Sequence, residues 1–191
     1  MAKRLIFLSA GHSNGKGASK DRGAKVAGYE LFEGDISIIL RDKIADILRE
    51  KGANVTEDKN EDALAQTFAF FRNLVNTNSI NIDIHFNAAT NPKATGTEVF
   101  VKSLDPKFAW QINIGNRFCE AIVDVLKCPN RGVKGESQSA RGRLGWMQLT
   151  GHNFLLEICF ISNSQEVVNF MWRIDDVASA LANEIYLASL A

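Results

Sequence analysis

Seven residues near the middle of the chain, Ile80-Asn81-Ile82-Asp83-Ile84-His85-Phe86, alternate apolar and polar without interruption. A period of two places the apolar side chains on one face of an extended strand and the polar ones on the other, a segregation that no helix can produce. The stretch is therefore committed to a half-buried β-strand that closes at His85–Asn87. Other segments carry different periods. Leu5-Ile6-Phe7-Leu8 is wholly apolar and fits a strand buried on both faces. From Asp35, the set Ile36, Ile39, Leu40, Ile44, Ile47 and Leu48 recurs at helical spacing, and Gly52 stands where a left-handed cap ends a helix. A brief strand over Ala53 to Glu57 and a helix from Asp62 to Asn76 with Phe68, Phe71 and Leu74 come next. Beyond the alternating segment, Thr97 to Val101 reads as a strand, and Ile114, Phe118, Ala121, Ile122 and Val125 mark a third helix. Pro129 to Gly142 reads as a polar turn region, Leu144 to Leu149 and Phe154 to Phe160 as strands, and Ile174 to Leu187 as a closing helix.

Strands that alternate with helices imply an α/β fold: a single-domain three-layer sandwich over residues 1–191, with a mixed, mostly parallel sheet of about six strands and helices on both faces. The composition excludes some function classes. The 22 basic and 22 acidic side chains cancel, so no nucleic-acid footprint and no polybasic membrane surface is expected. The three cysteines, Cys119, Cys128 and Cys159, lack CxxC spacing and support neither a disulfide framework nor a thiolate zinc knuckle. The apolar run Leu5 to Leu8 is too short for a signal-peptide core or a membrane span, so membrane insertion and ordinary export are not expected.

Two of the three histidines fall where strands end, His12 after the first strand and His85 at the close of the alternating one. Strand ends are where ligands gather in open α/β sheets. Neutral imidazole is the commonest zinc ligand, and a catalytic site often takes two His and one carboxylate, leaving a fourth position open. Glu30 and Glu33, between the glycine-rich loop that starts at Gly11 and the first helix, can each complete such a set; the plainer reading of either is an exposed acid favoured by a helix N-terminus. Glu157 interrupts the apolar run from Phe154 to Phe160, so it must be paired, protonated, metal-linked or at an exposed strand end. With a raised pKa beside an activated water it can serve as general base and then acid; a structural salt bridge is the alternative. Gly11 to Gly17 is not a phosphate-binding loop, because only three residues separate Gly11 from Gly15 and Lys16 precedes Gly17 where Ser or Thr is required. No Cys–His nucleophile pair is apparent, since Cys159 sits in an apolar strand.

Taken in order, SAGH at Ser9–His12, DRGA at Asp21–Ala24, EGDISIIL at Glu33–Leu40, DIHFNA at Asp83–Ala88, GTEVFV at Gly96–Val101, NRGVK at Asn130–Lys134 and LLEICFISN at Leu155–Asn163 resemble the zinc-dependent N-acetylmuramoyl-L-alanine amidases of the third amidase type. The resemblance implies one Zn2+ per chain held by His12, Glu33 and His85, with Glu157 as the catalytic acid/base. It favours Glu33 over Glu30, because Glu33-Gly34-Asp35 reproduces the family's Glu two residues before an Asp that leads into the helix. Ser13-Asn14 depart from the glycines usual after the first His. The implied reaction is hydrolysis of the amide between N-acetylmuramic acid and L-alanine in peptidoglycan. A zinc peptidase cutting within the stem peptide and a non-catalytic wall-binding module are the competing readings. With no signal-peptide core and no wall-binding repeat, synthesis in a bacterial cytoplasm and delivery to the wall in the manner of an endolysin, by lysis, an injection device or a separate targeting protein, is expected; a secreted protein whose export signal has been removed is the alternative. Roles for Asn87, for the Asn130–Lys134 turn and for His152, five residues before Glu157, stay open.

Overall fold

The computed structural model describes residues 3–17, 20–62 and 64–191. Within them, six strands form one sheet: β1 (Ile6–Ser9), β2 (Val55–Glu57), β3 (Ile80–Asn87), β4 (Thr97–Val101), β5 (Asn130–Gly135) and β6 (His152–Phe160), in the spatial order β2-β1-β3-β6-β4-β5. Every neighbouring pair is parallel except β4 and β6, which are antiparallel. That single reversal brings the start of β4 beside the end of β6, with Glu98 opposite Glu157. Among the described residues, five α-helices accompany the sheet: α1 (Glu33–Glu50), α2 (Leu64–Phe71), α3 (Ala109–Leu126), α4 (Ser164–Trp172) and α5 (Ile174–Ser189).

The alternation in β3 is what divides the two faces. Ile80, Ile82, Ile84 and Phe86 join Ile6, Leu8, Phe154, Leu156 and Ile158 in the main core under the buried sides of α1, α3 and α5. The opposite face has a smaller core of Phe7, Phe71, Phe100, Trp146, Met147, Leu149 and Leu155, covered by α2 and by a short 3-10 helix at Gly145–Gln148. Helices therefore lie on both faces, unequally. The thin covering leaves the polar row Asp83, His85 and Asn87 of β3 uncapped by a long helix.

A buried ion pair fixes the loop that leaves β1. Arg41 of α1 donates to Asp58 at 2.7 Å, and Asp58 also accepts from the Thr67 hydroxyl and from the Ala10 backbone N–H. Both partners are nearly inaccessible to solvent, so removal of either strands a charge. At the start of α1, the Asp35 carboxylate accepts the Phe32 backbone N–H at 2.8 Å and pairs with Arg22.

Several sequence expectations need correction. Leu144 to Leu149, expected as a strand, is a turn and 3-10 helix, because Trp146 folds inward and donates its indole N–H to the Asn81 carbonyl at 3.2 Å. Asn130 to Lys134, expected as part of a turn region, is the edge strand β5. The second helix is shorter than Asp62–Asn76, and α4 was not anticipated.

Candidate active site

His12, Glu33 and His85 come from three different structural contexts. His12 follows the sharp turn after β1, where Gly11 takes φ +67°. Glu33 is the first residue of α1, and His85 lies near the end of β3 on its polar face. One ligand atom from each of the three lies within 4.8 Å of the other two. Glu33 is at the centre: its Oε1 is 3.1 Å from His85 Nδ1, and its Oε2 is 3.4 Å from His12 Nε2. The Phe86 backbone N–H donates to Oε1 and that of Ala24 to Oε2, which orients the carboxylate. The rings of His12 and His85 meet edge to face with centroids 5.0 Å apart.

The far nitrogen of each imidazole rests on an aspartate. Asp83 Oδ2 lies 3.1 Å from His85 Nε2, and Asp21 Oδ1 lies 3.1 Å from His12 Nδ1. This is the outer-shell arrangement that fixes the tautomer and ring orientation of metal-binding histidines. Burial works against ionisation of His85, yet the Asp83 and Glu33 carboxylates outweigh it and hold the imidazolium well above its usual range. Burial likewise works against the Glu33 carboxylate, and His85, His12 and the Phe86 N–H outweigh it and bring its pKa down. Two imidazoles and one carboxylate, each oriented from behind, form a donor set that suits zinc, and the residues present fit such an ion.

The close approach requires two glycines. A Cβ on Gly11 would lie 2.6 Å from His85 Nε2, and one on Gly23 would lie 2.6 Å from Glu33 Oε2; both residues also have positive φ. Gly23 belongs to the DRGA segment, so part of the glycine-rich loop forms a wall of the site.

Glu157 stands beside His85, its register partner on the adjacent strand, so their side chains emerge on one face. The residue as a whole is half-buried, but its Oε2 is shielded from solvent and has no hydrogen-bond partner among the described residues. Burial pushes its pKa up to about 8; His85 pulls down, while Glu33, Glu98 and Asp83 push up. An acid poised there can accept and return a proton near neutral pH. Glu157, the three clustered residues, Leu155 and Trp146 line a cavity of about 390 Å³.

Glu30 is excluded by position: its side chain is exposed and pairs with Lys25 on the surface. His152 starts β6, at the opposite end of the strand from Glu157, roughly 16 Å away at ~3.3 Å per residue; it packs on Trp110 and contacts Arg4. The three cysteines are free thiols, and burial raises Cys119 to about 12. Sequence reasoning missed the supporting roles of Asp21 and Asp83. For Asp83 a signal existed, because residues two apart on a strand share a face.

Comparisons with known proteins bear on the fold and the family. YqiI of Bacillus subtilis (strain 168), described as an uncharacterised protein, is 27% identical over 166 residues, covering 85% of this chain and 73% of its own. An N-acetylmuramoyl-L-alanine amidase from Clostridium difficile 630 matches with a TM-score of 0.79 at 20% identity, with 100% of each chain covered. The catalytic domain of CwlV, an N-acetylmuramoyl-L-alanine amidase from Bacillus (Paenibacillus) polymyxa var. colistinus, matches with a TM-score of 0.75 at 21% identity, over 97% of this chain and 99% of that one. At such identities these two structures establish the shared fold. The sequence settles the family, since residues 6–188 match the model described as N-acetylmuramoyl-L-alanine amidase and the chain accordingly belongs to that family.

Proposed function

We propose that this chain hydrolyses the amide bond between the lactyl group of N-acetylmuramic acid and the L-alanine of the peptidoglycan stem peptide, using one zinc ion held by His12, Glu33 and His85. The observation that carries the reading is the meeting of that donor set with the partnerless Oε2 of Glu157 in one cavity. When bound, such an ion supplies Lewis acidity, which brings the pKa of a water to ~7 and polarises the scissile carbonyl.

The chain's own residues supply the rest. Glu157 Oε2 accepts a proton from the water that adds to the lactyl carbonyl, then delivers it to the alanine nitrogen as the C–N bond breaks, leaving a carboxylic acid and a free amine. A side chain whose pKa sits close to the working pH serves both half-reactions. Asp83 and Asp21 hold the imidazoles in orientation, and the Phe86 and Ala24 N–H groups hold Glu33. Leu155 and Trp146 supply an apolar part of the cavity wall.

Digestion of purified peptidoglycan tests the reaction. The expected products are glycan freed of peptide and a new N-terminal alanine; cuts confined to bonds within the stem peptide overturn the amidase reading in favour of a peptidase. The roles of the two acids separate in variants. Glu33→Ala is expected to lose zinc and turnover together, whereas Glu157→Gln retains about one zinc per chain and loses turnover.

A further inference from the structure

A second cavity, of about 310 Å³, adjoins the first and shares Glu157, Leu155, Asn87 and Arg141 with it. Its far wall is made by Arg131 and Lys134, the two cationic residues of the NRGVK segment that forms β5. Both are anchored on one buried carboxylate: Glu98 Oε2 accepts from Arg131 Nε at 2.6 Å and from Lys134 Nζ at 2.5 Å, while Asn87 Nδ2 donates to its Oε1. Burial raises the pKa of Glu98, but Lys134, Arg131 and Asn87 more than offset this and keep it ionised.

The anchoring uses only part of each cation's capacity. The two Nη groups of Arg131 and the remaining ammonium protons of Lys134 have no partner among the described residues. Arg141, at the junction of the two cavities, has none either. Three cations therefore line a cavity whose acidic members are Glu98, which anchors two of them, and Glu157 at its inner end, in a chain whose formal net charge is zero. The aromatic rings of Phe160 and Phe100 lie under Arg131 and Lys134, with centroids 5.1 and 5.9 Å from the charged groups, and help fix their direction.

We infer that this cavity is a carboxylate-binding subsite for the peptide side of the substrate, with Arg131, Lys134 and Arg141 as the donors and Glu98 as the residue that positions two of them. The inference rests on the amidase reading for its choice of occupant. In the scissile amide the muramic acid has spent its own carboxyl group, so its sugar side is neutral and an anion can come only from the stem peptide. A guanidinium with two free Nη groups is suited to a bidentate carboxylate. The order β6-β4-β5 places Arg131 and Lys134 two strands from the acid that protonates the leaving amine, with Glu98 of the intervening β4 opposite Glu157.

The experiment uses two N-acetylmuramoyl dipeptides, identical except that the residue after alanine ends in a carboxylate or in its carboxamide. Wild-type protein is expected to prefer the carboxylate by about tenfold or more in kcat/KM, with the preference falling toward unity in Arg131→Gln and in Arg141→Gln. The second variant guards against misfolding, because Arg141 is exposed and supports nothing else. Equal rates on both substrates in wild type, or an unchanged preference in both variants, overturns the subsite and leaves the amidase reading standing. In parallel, calorimetry with Glu157→Gln protein measures binding of the free alanyl dipeptide and its carboxamide. Tighter binding of the carboxylate form that vanishes with Arg131→Gln supports the subsite even if neither muramoyl dipeptide is cleaved, an outcome that sinks the amidase reading alone. Indifference to the carboxylate in binding overturns the subsite.

Discussion

Glu157 is a carboxylic acid held among other carboxylates, and its protonation links the chemistry to stability. With a folded pKa of about 8 against 4.5 in the unfolded chain, the native protein binds more protons than the unfolded one between those values. Its contribution to stability therefore declines as pH rises through that window and is constant below it. In metal-free protein, Glu157→Gln is expected to gain about 3 kcal/mol over wild type on going from pH 4 to pH 7, read as the difference in urea midpoints. A difference that stays flat with pH shows that Oε2 is solvated after all. Asp83 acts on a different link, through His85 Nε2. Asp83→Asn is expected to weaken zinc binding by about 10- to 100-fold in competition with a chelator. Asp21→Asn should weaken it less, because Asp21 is largely exposed and Asp83 is almost fully buried. Equal effects from the two would mean that burial does not decide how firmly an imidazole is oriented. His12, His85 and Glu157 stood out one by one, as polar side chains at strand ends or inside an apolar run, whereas the residues alone left Glu30 and Glu33 open and the resemblance favoured Glu33. Of the aspartates behind the histidines, Asp83 carried a signal in sharing His85's strand face and Asp21 carried none; the role of each depends on which ring nitrogen turns toward Glu33, which only the packed structure specifies.

Elements were legible in proportion to their periodicity. β3 alternates cleanly and α1 repeats at helical spacing, so both appear where the sequence places them, within two residues. β5 escaped notice because Asn130-Arg131-Gly132-Val133-Lys134-Gly135 has one large apolar residue, and its strand conformation comes from pairing with β4 rather than from its own pattern. α4 did carry a local signal. Asn163 is its N-cap, accepting from the Gln165 and Glu166 N–H groups, and Glu166 stands three residues on, as in a capping box. The Glu166 side chain turns away instead to the backbone N–H groups of Gly96 and Phe160. The segment Leu144 to Leu149 has the apolar content of a strand, but its tryptophan is used to roof the thin side of the sheet. Trp146 is 1% exposed and packs edge-on against Phe71, whose ring also meets Phe7. Trp146→Ala is expected to cost about 3–5 kcal/mol, measured by denaturant unfolding, because no long helix can settle into the gap. A loss below about 1 kcal/mol would show that this roof is dispensable and that the main core alone holds the sheet.

At the scale of the whole molecule, the site is a fastening between parts that are far apart in sequence. His12 belongs to the loop leaving β1, Glu33 to the head of α1, and His85 to the central strand β3. The loop between the first two is held by short-range contacts: Ser13 N–H to the Asp21 carbonyl, Gly34 N–H to the Arg22 carbonyl and Glu33 N–H to the Ala24 carbonyl. An ion that binds this folded arrangement and not the unfolded chain stabilises it by mass action, about 4 kcal/mol when free zinc exceeds its Kd a thousandfold. For a chain of this size, roughly 2–4 °C accompanies each kcal/mol, so chelation is expected to lower Tm by about 8–16 °C, and added zinc should restore it. Some of the fastening survives without the ion, because the Glu33 carboxylate still lies 3.1 Å from His85 Nδ1 and 3.4 Å from His12 Nε2. For the same reason the metal-free protein is expected to unfold in one transition rather than to lose the loop first. Glu33→Ala supplies the control: lacking the central carboxylate, it should show no response of Tm to chelator or zinc. A wild-type Tm indifferent to chelator would break the link between these three segments and a bound ion. A response that persists in Glu33→Ala would place the stabilising ion somewhere other than the cavity beside Glu157.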